Sequence, residues 1–203
     1  MKWAFIPKPI DYDGSQLASH FAYKSASLVG DSIVAFVGAC DVRPEFMVDV
    51  ADLASGCEIA SRQMLHFIVE HFDADLERAV LRQRLLASIL QQAVNTRLRS
   101  NLIVGAKSDS FVRRDGDDLF VGDRKLTVSV ATASLVSCLI HLGVNVDARG
   151  APVAAIGLSE LLPKECLEPL TTDVMVRYAA ECEDIREARS LVRGVSEFDA
   201  GGR

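Results

Sequence analysis

Phe111-Val112-Arg113-Arg114, Asp115-Gly116-Asp117-Asp118, Leu119-Phe120-Val121, Gly122-Asp123-Arg124 and then Lys125 to Ala133 alternate short β-favouring runs with Asp-Gly and Gly-Asp turn chemistry. That is the pattern of consecutive hairpins. After Lys125 the alternation is clean, with Leu126, Val128 and Val130 on one face and Lys125, Thr127, Ser129 and Ala131 on the other. The second face is small and polar around a single ammonium. A further run from Ile140 to Asp147 sets Leu142, Val144 and Val146 against His141, Gly143, Asn145 and Asp147. Two neighbouring strands with small polar faces are expected to form the floor of a ligand site.

Upstream of this stretch, Lys2 to Ile6 reads as a first strand, ended by Pro7 and Pro9 because proline withholds an amide donor and restricts the residue before it. Asp11 to Ser15 is a turn feeding a helix over Leu17 to Tyr23. It lacks the later carboxylate of a calcium loop. Ser32 to Val37 is apolar enough for an interior strand. Gly38 to Pro44 reads as a loop, Phe46 to Val50 as a strand, Asp52 to Gln63 as a loop, and Met64 to Phe72 as another strand. On that last strand His66 and Glu70 share a face while His71 points away, and the spacing fits no helical zinc motif, so no metal site is expected. Asp73 to Leu98 carries apolar residues at three- and four-residue steps and predicts a long amphipathic helix whose arginines form a solvated face.

Downstream, Asn101 to Gly105 and Val153 to Leu158 read as further strands. Thr172 to Arg193 reads as a closing helix with Val176, Ala179, Cys182, Ile185 and Leu191 inward, stopped by Gly194. Residues 1–195 are expected to form one domain and residues 196–203 a frayed tail, since the chain of 203 residues fits a single core. A net charge of −6 with no basic block argues against nucleic acid as the main partner. No run of about 18 uncharged apolar residues is present, so no membrane partner is expected and the default location is the cytoplasm. Five cysteines without a Cys-x-x-Cys pair suit reduced thiols.

At the opening stretch a resemblance emerges. The order Asp118-Leu119, a glycine-containing turn, Lys125-Leu126, a small-residue strand, then Gly143-Val144-Asn145-Val146 resembles the central region of biotin and lipoate protein ligases. There an Asn-Asp-hydrophobic segment precedes a Lys-hydrophobic pair and, in the biotin branch, a Gly-x-Asn strand. The whole chain also resembles a bacterial and archaeal family labelled only as a domain of unknown function and placed in that superfamily. The fold so implied is α+β, a mixed, largely antiparallel sheet with helices packed on it. Lys125 is implied as the catalytic residue, its cation stabilising charge at a reacting carbonyl. Asp118, Thr127, Ser129, Gly143 and Asn145 are implied around the ligand, with Gly56 and Arg62 on a partner loop near Ser55 to Arg62 and Arg43 expected to converge on the same pocket. A hairpin-end lysine in water is the other reading of Lys125. Asp117 either caps its turn or helps hold a nucleotide's magnesium.

The sequence departs from the ligases where their glycine- and arginine-rich adenylate loop belongs. Residues 52–63 offer one glycine, Gly56, and one arginine, Arg62, a weak cradle because backbone amides approach a phosphate closely only where side chains are absent. ATP with magnesium is therefore left open as cofactor. Some octanoyl transferases of the superfamily use a cysteine thioester without ATP, which draws attention to Cys57 and Cys138. The functional expectation is a small carboxylate or acyl ligand over Lys125, handled by a divergent ligase or acyltransferase with an acceptor protein. The alternative is a non-catalytic ligand-binding or assembly protein that has lost the adenylate loop.

Overall fold

The structure is a computed structural model that describes residues 1–101 and 111–195. Its elements run β1 (Lys2–Phe5), α1 (Phe21–Ala26), β2 (Ser32–Asp41), α2 (Val50–Ser55), β3 (Ala60–His71), α3 (Leu76–Asn101), β4 (Arg113–Asp115), β5 (Asp118–Val121), β6 (Arg124–Lys125), β7 (Thr127–Ala133), β8 (Cys138–Asp147), α4 (Leu158–Leu161) and α5 (Leu167–Ala188). The fold is α+β. Five strands form one sheet in the order β1-β2-β3-β8-β7, and β4-β5-β6 form a small second sheet. Among the described residues only β1 pairs in parallel, with β2; the other neighbours in the large sheet are antiparallel.

Period-two alternation divides this sheet into two chemically different faces. Ile33 and Ala35 of β2, Leu65, Phe67 and Val69 of β3, and Ile140, Leu142 and Val144 of β8 pack with Leu86, Leu90 and Val94 of α3 and with Val174, Met175 and Tyr178 of α5. Each such side chain removed from water contributes about 1.5–3 kcal/mol. α3 is built from strong helix formers without glycine or proline, and Asp75 accepts from the Arg78 amide at its start. Asp31 ties α5 to the sheet, accepting from Arg186, from His71 at 3.2 Å and from the Phe72 amide at 2.9 Å. Burial alone would raise the Asp31 carboxyl pKa; those hydrogen bonds outweigh it and hold the group well below its ordinary range.

The opposite face carries Val34, Phe36, Met64 and Ile68, covered by Tyr12 and Ala22 from the N-terminal segment. That segment follows β2 as an added strand edge, the amides of Ile6, Ile10 and Tyr12 donating to the carbonyls of Ala35, Val37 and Ala39. Farther along, both carboxylate oxygens of buried Glu70 accept from the His20 amide at 2.9 Å, and Oε1 also accepts from the Ser137 hydroxyl at 2.7 Å. His66 and His141 lie on this face. His66 Nδ1 is 3.1 Å from His141 Nε2, and the Tyr12 ring stacks on His141 with centroids 3.9 Å apart.

Five predicted elements are corrected. The helix expected over Leu17 to Tyr23 starts later and spans Phe21–Ala26. Phe46 to Val50 is no strand: Pro44–Phe46 makes a single tight turn, and α2 follows because the Asp49 carboxylate accepts from the amides of Ala51 and Asp52. Gly38 to Asp41, read as loop, extends β2 across a register shift. Ala155 in the expected strand over 153–158 makes only an isolated parallel bridge to Lys125. α5 begins and ends about five residues earlier than the periodicity predicts, and Val176, Ile185 and Leu191 are exposed while Leu170, Val174 and Tyr178 are buried. The strand expected over 101–105, α3's terminal Asn101 apart, and the tail over 196–203 lie outside the described residues.

Two outcomes follow from this packing. A Cβ at Gly38 would stand 1.8 Å from the Ile10 carbonyl oxygen, so Gly38→Ala should lower stability in urea titration by about 2–3 kcal/mol, the cost of overpacking against backbone. Burial depresses the His66 pKa from 6.5 to about 4, and the His141 pKa also lies well below 6.5. The unfolded imidazoles then take up protons that the folded ones refuse, so the contribution is complete above pH 6.5 and declines as pH falls toward 4. Urea midpoints between about pH 7 and pH 5 should fall with a slope approaching about 1.4 kcal/mol per pH unit for each imidazole. A His66→Leu, His141→Leu double variant should flatten that slope.

Candidate functional site

The second, polar face of the sheet does not close completely. Between β7 and β8, the segment from Val42 to Ala60, Tyr12 and Leu17 above, and the turn from Ala151 to Ala155 lies a cavity of about 360 Å³. Its inner wall is apolar and aromatic, with Tyr12, Val42, Phe46, Met64 and Val128, while His141 and Asn145 contribute polar floor. Size and lining suit a small organic ligand.

β5 and the Lys125 end of β6 bring two predicted residues to this cavity. Lys125 Nζ stands 2.8 Å from Asp118 Oδ2, and both side chains are about two-thirds or more buried. Burial raises the Asp118 pKa, with Asp117 and Asp52 adding to the rise and the Lys125 ammonium opposing it. The Lys125 backbone is fixed between Ala154 and Ile156: its amide donates to the Ala154 carbonyl and its carbonyl accepts from the Ile156 amide. Asn145 Nδ2 donates to the same Lys125 carbonyl at 3.3 Å, leaving Asn145 Oδ1 buried without a partner. Gly143 does not itself line the cavity but lies against residues that do, since a Cβ there would meet Met64 Sδ at 3.0 Å and Val128 Cγ2 at 3.2 Å.

The strand before these residues turns the other way from its prediction. Leu126 and Thr127 are both fully buried, and Leu126 joins the helix-side core. The alternation therefore slips by one residue where the chain passes from the small sheet to the large one. Leu126 donates its amide to Leu119 and accepts from Asn145. Thr127 consequently lies away from the cavity, its Oγ1 accepting from the Leu119 amide at 2.8 Å. Ser129 reaches the cavity edge, but its hydroxyl donates to the His141 carbonyl and accepts from Gln83 of α3, both at 2.9 Å. Val128 and Val130 line the cavity instead.

The partner loop is also arranged differently. Arg43 pairs with Asp13 at 2.7 Å, Arg62 approaches Asp147 at 3.9 Å, and neither lines the cavity. Gly56 caps α2 in the left-handed conformation, with open space around it. Asp49, Asp52, Cys57 and Glu58 are the polar residues that the segment from Val42 to Ala60 presents to the cavity. Only Asp49, a helix-capping residue ahead of an Ala-Asp-Leu-Ala run, carried a sequence signal for that placement. Cys57 is exposed at the cavity, whereas Cys138 is buried and its pKa is raised by burial, the condition of an inert thiol. Among the described residues no group of three or more His, Cys, Asp or Glu side chains could hold a metal ion, and no helix is long and apolar enough to cross a membrane.

Two biotin protein ligase structures resemble this fold. The enzyme from Leishmania major in complex with biotin superposes with a TM-score of 0.53 at 12% identity, covering 87% of this chain and 72% of that one. A variant of the Aquifex aeolicus enzyme in complex with biotin gives 0.51 at 14% identity, covering 90% and 71%. At such identity the likeness is one of fold. Nearer relatives include a protein of unknown function from Pyrococcus horikoshi, with a TM-score of 0.78 and 38% identity over 95% of this chain and 99% of that one. An uncharacterised protein of Methanocaldococcus jannaschii is 35% identical over 202 residues, 95% of this chain and 86% of the relative. The family model described as Domain of unknown function (DUF366) matches residues 1–193, and this chain belongs to that family.

Proposed function

We propose that the cavity binds a small ligand through a carboxyl or acyl group at Lys125, and that the protein is a divergent ligase or acyltransferase acting on it. The observation that carries this reading is the half-buried pair of Lys125 and Asp118, 2.8 Å apart at the cavity edge. A compact ammonium positioned by a neighbouring carboxylate can polarise a carbonyl and stabilise charge that develops on its oxygen. The apolar wall would receive an acyl body and exclude water from the reacting end. The fold likeness to biotin protein ligases supports the same class of chemistry, and Asn145, one of the residues that the ligase resemblance implies, lines this cavity.

By the ligase resemblance residues 52–63 stand where the adenylate loop belongs, and the single glycine there, Gly56, has open space around it. That favours a second reading, a ligand-binding protein without nucleotide chemistry. Isotope exchange between pyrophosphate and ATP separates a ligase from a binding protein. A ligase shows exchange that depends on added biotin, lipoate or a medium-chain acid and is lost in Lys125→Ala. A binding protein shows no exchange, but the acid raises its melting temperature, by the equivalent of about 2.7 kcal/mol at a hundred times the dissociation constant. In both cases Lys125→Ala should weaken binding of the acid by about ten- to a hundredfold, the loss of one charge-assisted contact. Unchanged acid affinity in that variant would remove Lys125 from the site.

A further inference from the structure

The charges around the cavity do not match an anion alone. Asp49, Asp52, Glu58, Asp117 and Asp118 line it, and among the described residues Lys125 is the one cation that does. That ammonium is already engaged by Asp118. Asp49 is occupied in capping α2, and Asp117 accepts from Gln83 at 2.8 Å. Asp52 and Glu58 have no arginine, lysine or histidine within ion-pair distance among the described residues. Asp52 and Asp117 both lie within electrostatic reach of Asp118, which gathers the negative charge into one corner.

A second observation, independent of the carboxylates, concerns the same corner. Asn145 is 3% exposed and lines the cavity, and its Oδ1 has no hydrogen-bond partner. A buried acceptor left unmade costs about 1–3 kcal/mol, which a ligand donor would recover. The corner therefore has acceptors in surplus and lacks donors. Its carboxylates do not assemble a set that could hold a metal ion, which leaves an organic cation as the matching chemistry.

We propose that the ligand carries an ammonium group on an apolar body, its N–H donors directed to the Asn145, Asp118 and Asp52 corner and its charge balanced by Asp52 and Glu58. This deepens the preceding reading, since it rests on the same cavity being the ligand site. A compound that carries both an ammonium and a carbonyl satisfies both readings where the two groups can reach Asp118 and Lys125 together, since these side chains are 2.8 Å apart.

Thermal shift and calorimetry with caproate, hexylamine and ε-aminocaproate, three ligands of equal chain length, test it. Hexylamine and ε-aminocaproate should bind, and Asp52→Asn or Glu58→Gln, both at accessible positions, should weaken hexylamine about tenfold. Lys125→Ala separates the two readings because it frees the Asp118 carboxylate: hexylamine should then bind more tightly while caproate binding is lost. Binding of caproate without hexylamine would overturn the ammonium and leave the carboxylate reading standing. Binding of hexylamine without caproate would do the reverse. Absence of binding by both amines, or hexylamine affinity indifferent to Asp52→Asn, Glu58→Gln and Lys125→Ala, would overturn the proposal.

Discussion

Burial of β3 on both faces is the constraint on which the rest of the molecule depends. From Met64 to His71 every residue of that strand is buried, so successive side chains must suit two different environments at once. Leu65, Phe67 and Val69 meet α3 and α5, while Met64, His66 and Ile68 meet the N-terminal segment. A one-residue slip in pairing would drive Glu70 and His66 into the helix-side core and strip that core of its apolar residues. The imidazole pair of His66 and His141 and the Glu70 carboxylate are therefore markers of register as well as of chemistry. The His66–His141 and His20–Glu70 hydrogen bonds form only when β8 and the His20 backbone stand where they do.

This arrangement explains why much of the fold could be read from the chain. β8 and α3 carry periodic apolar patterns long enough to specify their type and inward face, and β2 is an apolar run too continuous for an exposed strand. The His141, Gly143 and Asn145 face of β8 follows from the same pattern. The errors fall where local signals compete. At Leu126 and Thr127 the chain leaves one sheet for another, and a period-two count continued through that step assigns the wrong side to every residue of β7. At Asp49 the carboxylate converts a Val-rich run that favours strand into a helix start. In α5, the apolar residues after Ala188 extend past the surface that the sheet offers, so they repeat without being buried.

The site was legible to a similar, partial extent. Lys125 and Asp118 could be placed together because a tight hairpin fixes their distance over a few residues. Arg43 and Arg62 could not, because their side chains leave a long excursion whose path is set by tertiary contacts, and each finds a nearby aspartate instead. The acidic members of the cavity were unreadable for the same reason: Asp52 and Glu58 belong to a short helix and its exit, elements too brief to declare which way they face. Charge balance at the cavity is thus a property of the assembled fold, not of any one motif.

The N-terminal segment over the cavity is held at both ends. Its amides at Ile10 and Tyr12 are hydrogen-bonded to β2, and the His20 amide is clamped by both oxygens of Glu70. A roof pinned in this way has already lost its conformational entropy in folding. The ligand proposed above would therefore be selected by shape and by charge against a fixed ceiling at Tyr12 and Leu17.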